Sequence, residues 1–113
     1  MLKTKRVYED AKTSDGTRFL VERLWPRGLK KDELKMKAWL KDVSPSPALR
    51  KWFAHDPAKY QEFKKRYAKE LEEKSETLER IRREAKKGTV TLLFSAKDTE
   101  HNNARAVKEL LSQ

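Results

Sequence analysis

Cysteine is absent from the 113 residues, and glycine occurs only at Gly16, Gly28 and Gly88. The first absence excludes disulfides, thiolate nucleophiles and every zinc or iron–sulfur site built on sulfur ligands, and it leaves a cytosolic reading with no redox chemistry of its own. The second excludes a phosphate-binding P-loop and a G-x-G-x-x-G dinucleotide turn, because neither can be written with three isolated glycines. P-loop ATPases and nicotinamide dehydrogenases are excluded with them. No apolar run approaches the roughly 18 residues a bilayer span needs, and the opening MLKTKRVYED has no apolar signal core, so a cytoplasmic protein with no membrane partner is expected. The two histidines show no metal-ligand spacing, so neither a metal nor a cofactor is expected.

What the chain has in quantity is charge. Twenty-eight Lys and Arg stand against 18 Asp and Glu, a formal net charge of +10 on a chain of one-domain length, residues 1–113. Such a balance makes phosphate-bearing partners, nucleic acid included, a live reading. Much of the charge is interleaved, as in KKRYAKELEEK and ERIRREAKK, which is the pattern of solvated helix faces and also suits a heat-adapted protein.

The order of elements predicts α/β architecture. Residues 4–8 are β-prone, and the KTSDGT that follows reads as a reversal at Asp15-Gly16, pairing them with a strand over 17–25. In that second strand Phe19, Val21, Arg23 and Trp25 share one face, and Leu20, Glu22 and Leu24 the other. Both faces are largely apolar, which implies cover on both sides. A helix is expected over 30–43, stopping before SPSP. Ser46-Pro47 caps another, opening ALRKWF, and Asp56-Pro57 caps a third with Tyr60, Phe63, Tyr67 and Leu71 as its core stripe. A fourth runs from about Ser75 to Gly88 with Leu78, Ile81 and Ala85 inward. TVTLLFSA, residues 89–96, reads as a central buried strand, and a last helix follows with Asp98 or Thr99 as its cap. The expected fold is a small single α/β domain whose mostly parallel central sheet is flanked by about five helices.

In such sheets ligands sit beyond the carboxyl ends of the strands. If the strands at 17–25 and 89–96 are parallel neighbours, RLWPRG and SAKD converge on one rim, bringing Arg23, Arg27 and Lys97 together. The following helix, beginning near Asn102, adds free N–H groups and a positive dipole end. Guanidinium forks suit a bidentate oxyanion. The competing reading ties Arg23 and Arg27 to carboxylates such as Asp32, Glu33, Asp98 or Glu70. Asp98 and His55 are the candidate acid/base residues: Asp98 is also simply a cap, and His55 stands just outside a helix. His101 has no evident partner in sequence. The three tryptophans and the Tyr60 stripe are read as core, since their spacing is helical and no nucleic-acid motif accompanies them.

The runs DGTRFLVERLWPRGLKKDEL, WLKDVSPSPALRKWFAHDPAKYQEFKKRYAKEL and VTLLFSAKDTEHNNA together resemble the YeaO-like branch of DUF488, a domain-of-unknown-function family, from about Lys5 to Leu111. The resemblance implies a small cytosolic α/β domain of no established reaction. It also brings forward Ser46, Arg50, Asp56, Tyr67, Glu70 and Asn102 beside Arg23, Arg27, His55, Lys97 and Asp98. In the wider family the loop after the last strand carries a cysteine-bearing motif and then a Cys-His-Arg element. Here Ser95-Ala96-Lys97-Asp98 and His101-Asn102-Asn103 occupy that region, and no thiol chemistry carries over. The functional expectation is binding of a small phosphate or carboxylate at the carboxyl ends of the strands, with Arg23, Arg27, Arg50, Lys97 and Asn102 as ligand-binding residues. The alternatives are a nucleic-acid-binding accessory protein and a non-catalytic interaction module.

Overall fold

The strand-like run Val90–Phe94 (β4) is buried at every residue, which requires backbone partners on both edges and apolar cover on both faces. In the computed structural model, which describes residues 1–112, it has both. Its neighbours are Leu2–Arg6 (β1) and Thr17–Leu20 (β2), and Ala38–Trp39 (β3) lies outside β2, giving the order β1-β4-β2-β3 with every pair parallel.

The expected reversal at Asp15-Gly16 is therefore overturned. β4 sits between β1 and β2, and residues 7–16 carry the chain back along the sheet instead of folding it into a hairpin. Gly16 is still required, for a different reason. Its φ is 65°, and a Cβ there would come within 2.1 Å of the carbonyl oxygen of Thr89, the same oxygen that accepts from Thr17 N–H.

The two faces are covered differently. Phe19, Val21, Val90, Leu92 and Phe94 face a large core closed by four α-helices: Pro47–Phe53 (α1), Tyr60–Leu71 (α2), Ser75–Lys87 (α3) and Asn103–Leu111 (α4). Leu20 and Leu93 face the other way, into a smaller cluster with Val7 and Leu34 that is covered by irregular chain. Trp25, Leu29, Met36 and Trp39 pack around it. Trp25 thus lies opposite Phe19 and Val21 rather than beside them. Regular pairing ends at Val21, whose N–H bonds Leu93 C=O, and Leu24 beyond it is exposed.

The local punctuation reads out as expected over the middle of the chain. Ser46 Oγ accepts from Leu49 N–H with Pro47 in the first turn, and Asp56 accepts from Ala58 N–H ahead of the single 3-10 turn that leads into α2. Tyr60, Phe63, Tyr67 and Leu71 are all buried along α2. Four α-helices form, three of them longer than two turns, where about five were expected. The missing one is the helix over 30–43. There Lys37 N–H bonds Arg18 C=O, Leu40 N–H bonds Leu20 C=O, and the Trp39 indole donates to Glu22 C=O at 2.6 Å. Completing the open edge of β2 satisfies backbone groups that a helix would have left unpaired, so tertiary pairing overrides the local preference.

Candidate functional site

β2 and β4 run in register, Leu20 opposite Leu93, so the segments that follow them open at one rim. Between those segments and α1 lies a cleft of about 850 Å³. Four cations line it, Arg23, Arg50, Lys51 and Lys97, together with the carboxylates Glu22 and Asp98. Phe53 and Phe63, stacked at 4.2 Å, form its apolar wall, and His55, Asn102 and Asn103 contribute polar edges.

The site is stitched together by residues remote in sequence. Glu22 Oε1 accepts from both the N–H and the hydroxyl of Ser95, at 2.9 and 3.0 Å, joining the two rim segments. Asn103 donates from Nδ2 to Val21 C=O, tying the first turn of α4 to the end of β2. Arg6 holds the carbonyls of Ser95 and Ala96, which sets the path of the chain into Lys97. α1, which carries Arg50 and Lys51, is anchored through Ser46: its N–H and hydroxyl both donate to the Glu70 carboxylate, at 2.9 and 2.6 Å.

The cap of α4 is Asn102, not Asp98 or Thr99. Its Oδ1 accepts from Arg105 N–H and its Nδ2 donates to Asp98 C=O. The Asp98 carboxylate instead closes a turn one residue-group earlier, accepting from the N–H groups of Glu100 and His101 and meeting His101 Nδ1 at 2.9 Å. The Glu100 N–H, followed by the His101 contacts, outweighs burial and lowers the Asp98 carboxyl from its ordinary range, so it is ionised and a weak proton acceptor. His101 thereby gains a partner not recognised in the sequence, although the spacing of three residues was available as a signal.

His55 reaches the cleft by an unusual backbone. Ala54 and His55 both adopt left-handed conformations, with φ of 47° and 58°, at the end of α1. For L-residues each such conformation costs about 1–2 kcal/mol. The Ala54 N–H to Arg50 C=O bond and the Asp56 N–H to Phe53 C=O bond hold the turn in place.

Arg23, Arg50, His55, Lys97, Asp98 and Asn102 thus meet in one cleft, and Arg27 does not join them. Trp25 donates its indole N–H to Leu29 C=O and packs edge-on against Trp39, which carries the chain toward the loop-covered face. Arg27 follows it there, exposed, with its carbonyl accepting from Tyr8 OH. Among the described residues neither Arg23 nor Arg27 forms an ion pair, nor do Arg50, Lys51 and Lys97. The sequence placed neither Lys51 nor Asn103 at the site, and it put Glu22 only on a strand face with Leu20 and Leu24. A glutamate inside the apolar run TRFLVERLW was the available signal for Glu22.

A more open groove of about 930 Å³ lies on the other side of Pro45 and Pro47 and shares Arg23. Two of its three carboxylates, Glu70 and Asp42, accept from Ser46 and Thr77, and it runs along the seam between α2 and the segment before α1. Among the described residues no three His, Asp or Glu side chains converge to hold a metal ion, and no helix is long and apolar enough to cross a membrane.

A family model described as the inactive DUF488-N3 subclade matches residues 1–113. The chain is 43% identical over 110 residues to the uncharacterized protein YeaO of Escherichia coli, covering 97% of this chain and 96% of that one. It is 37% identical over 111 residues to the uncharacterized proteins Mb3100c of Mycobacterium bovis and Rv3073c of Mycobacterium tuberculosis, covering 98% of this chain and 93% of each. No solved structure matches it.

Proposed function

The chain belongs to DUF488-N3i, the subclade described as inactive, and from that premise we propose that its rim cleft binds a small phosphate- or carboxylate-bearing molecule without converting it. One observation carries the reading: four cations with no ion pair among the described residues line a single cleft beyond the carboxyl ends of β2 and β4. Like charges are costly to gather unless an anion offsets them. Arg50 and Lys51 lie on α1, held by the Ser46–Glu70 bonds, so the cationic wall is mounted on an anchored element. The absence of cysteine and the engagement of Asp98 by its own turn favour binding over catalysis.

The test is a thermal-shift series with phosphate, sulfate, small carboxylates and short oligonucleotides at two salt concentrations. A ligand at about ten times its Kd stabilises the native state by roughly 1.4 kcal/mol, which raises Tm by several degrees. The expected result is a shift with a small anion that persists at high salt. Arg50→Ala should weaken it about tenfold or more, the scale of a charged hydrogen bond, and Arg27→Ala, outside the cleft, should leave it intact. Shifts confined to oligonucleotides and abolished by salt would overturn the reading in favour of counterion-driven binding along the surface.

A further inference from the structure

The floor of the cleft has the opposite character to its rim. Glu22 is only 8% exposed, yet it lines the cleft. Ser95 occupies Oε1 with two hydrogen bonds, whereas Oε2 has no hydrogen-bond partner in the described chain and is not sealed from solvent. Beside it, Asn103 spends Nδ2 on Val21 C=O, which orients the amide and leaves Oδ1 without a partner. Two acceptor oxygens therefore have no donor from the described chain in a cleft whose cations, Arg23, Arg50, Lys51 and Lys97, are all exposed. The cations do not close on them: neither Arg23 nor Arg50 approaches Glu22 within ion-pair distance. Most of the Glu22 side chain is removed from water, so its second oxygen is only partly hydrated, and a guest that brings an N–H donor can gain a charge-assisted hydrogen bond there.

We infer that the cleft takes a zwitterion: a ligand with a protonated amine at one end, held by Glu22 Oε2 and Asn103 Oδ1, and a phosphate or carboxylate at the other, held by Arg23, Arg50 and Lys97. This rests on the anion-binding reading above and adds the chemistry of the second end. A plain anion pushed to the floor would meet the Glu22 charge and is confined to the rim, whereas an amine there meets two acceptors. The stacked rings of Phe53 and Phe63 give the same cleft an apolar wall, which suits a short methylene spacer between the ligand's two charged ends. Specificity follows from the same asymmetry, because a ligand lacking the amine leaves the floor carboxylate unpaired.

The inference is tested by calorimetric titration of the intact protein with 2-aminoethyl and 3-aminopropyl phosphate against ethyl and propyl phosphate, matched pairs that differ only in the amine. At least one aminoalkyl phosphate should bind about tenfold or more tightly than its partner, the scale expected of a hydrogen bond to a charged group. In Glu22→Gln, which keeps an acceptor for Ser95 but replaces the free oxygen with an amide nitrogen, that advantage should disappear while the plain phosphates still bind. Equal affinity within both pairs in the unmodified protein would overturn the zwitterion inference and leave anion binding standing. Failure of all four to bind would overturn both. An amine advantage that persists undiminished in Glu22→Gln would also overturn it, because the amine would then be read elsewhere.

Discussion

Two charged regions of this molecule differ in kind, and only one of them is closed. On the loop-covered face of the sheet, Asp15 is 5% exposed and accepts from Lys5 at 3.0 Å, from Arg18 at 2.5 Å and from the Lys12 N–H at 3.0 Å. Arg18 completes its own bonding on Lys35 C=O, and Thr91 donates to Asp15 C=O. At the carboxyl rim, Arg23, Arg50, Lys51 and Lys97 have no such partners among the described residues. The difference teaches that density of charge is not itself a mark of a binding site. A buried cluster whose hydrogen-bonding capacity is filled from within is architecture, and it tethers residues 7–16 to the sheet where no helix does. A cluster with capacity to spare can act on something outside the chain.

The comparison is broken most directly at Asp15. Asp15→Ala leaves Lys5 and the buried Arg18 without their shared carboxylate and should cost about 3–5 kcal/mol, the usual penalty for removing one partner of a buried pair; urea unfolding would measure it. A loss below about 1 kcal/mol would mean that the cluster is not closed in the sense argued here.

The same contrast is sharpened by acid. Burial pushes the Asp15 carboxyl up, but the hydrogen bonds from Lys12, Lys5 and Arg18 together prevail and bring it from 3.8 down to about 2. A folded-state value below the unfolded one favours the ionised form in the native state. The associated stability, roughly 2 kcal/mol, is fully present above about pH 4 and drains away as pH falls toward 2. Denaturant midpoints measured between pH 5 and pH 2 should fall accordingly, and the slope contributed by Asp15 should vanish in Asp15→Asn.

The smallest effect is expected at the rim. Lys97→Ala removes an exposed cation with no ion pair, so unfolding stability should stay within about 0.5 kcal/mol of the parent. Anion affinity, in contrast, should drop. A variant that lost stability instead would place Lys97 with Asp15 as architecture and erase the distinction between the two regions.

Legibility from sequence followed the range of the interactions. The Ser46-Pro47 and Asp56-Pro57 caps, the α2 stripe and the burial of β4 were readable because each depends on residues within a turn or two of one another. The strand-loop-helix order was enough to expect parallel central strands, whereas the adjacency of β2 and β4, a condition for the two rim segments to converge, came from the sheet itself. The helix over 30–43 was misread because its apolar residues fit a helical face about as well as they fit an edge strand and the turns before it, and the deciding term was the unpaired edge of β2. Arg23 and Arg27 looked equivalent across Trp25-Pro26, and the indole bond of Trp25 to Leu29 C=O sent them to different faces.

The sequence by itself determined where α1 and the turn into α2 begin, which stripe of α2 is buried, and which chemistries are excluded for want of cysteine and glycine, because composition and contacts within a few residues settle those. Only the tertiary structure decided that β4 divides β1 from β2, that Glu22 and Asn103 share one cleft with Arg23, Arg50, Lys51 and Lys97, and that the charge at Asp15 is filled from within. The bonds responsible join residues far apart along the chain, Glu22 to Ser95, Val21 to Asn103 and Asp15 to Thr91. Such bonds exist only once the sheet has brought distant segments together, and it is the hydrogen-bonding capacity left over after that assembly that distinguishes a site from a scaffold.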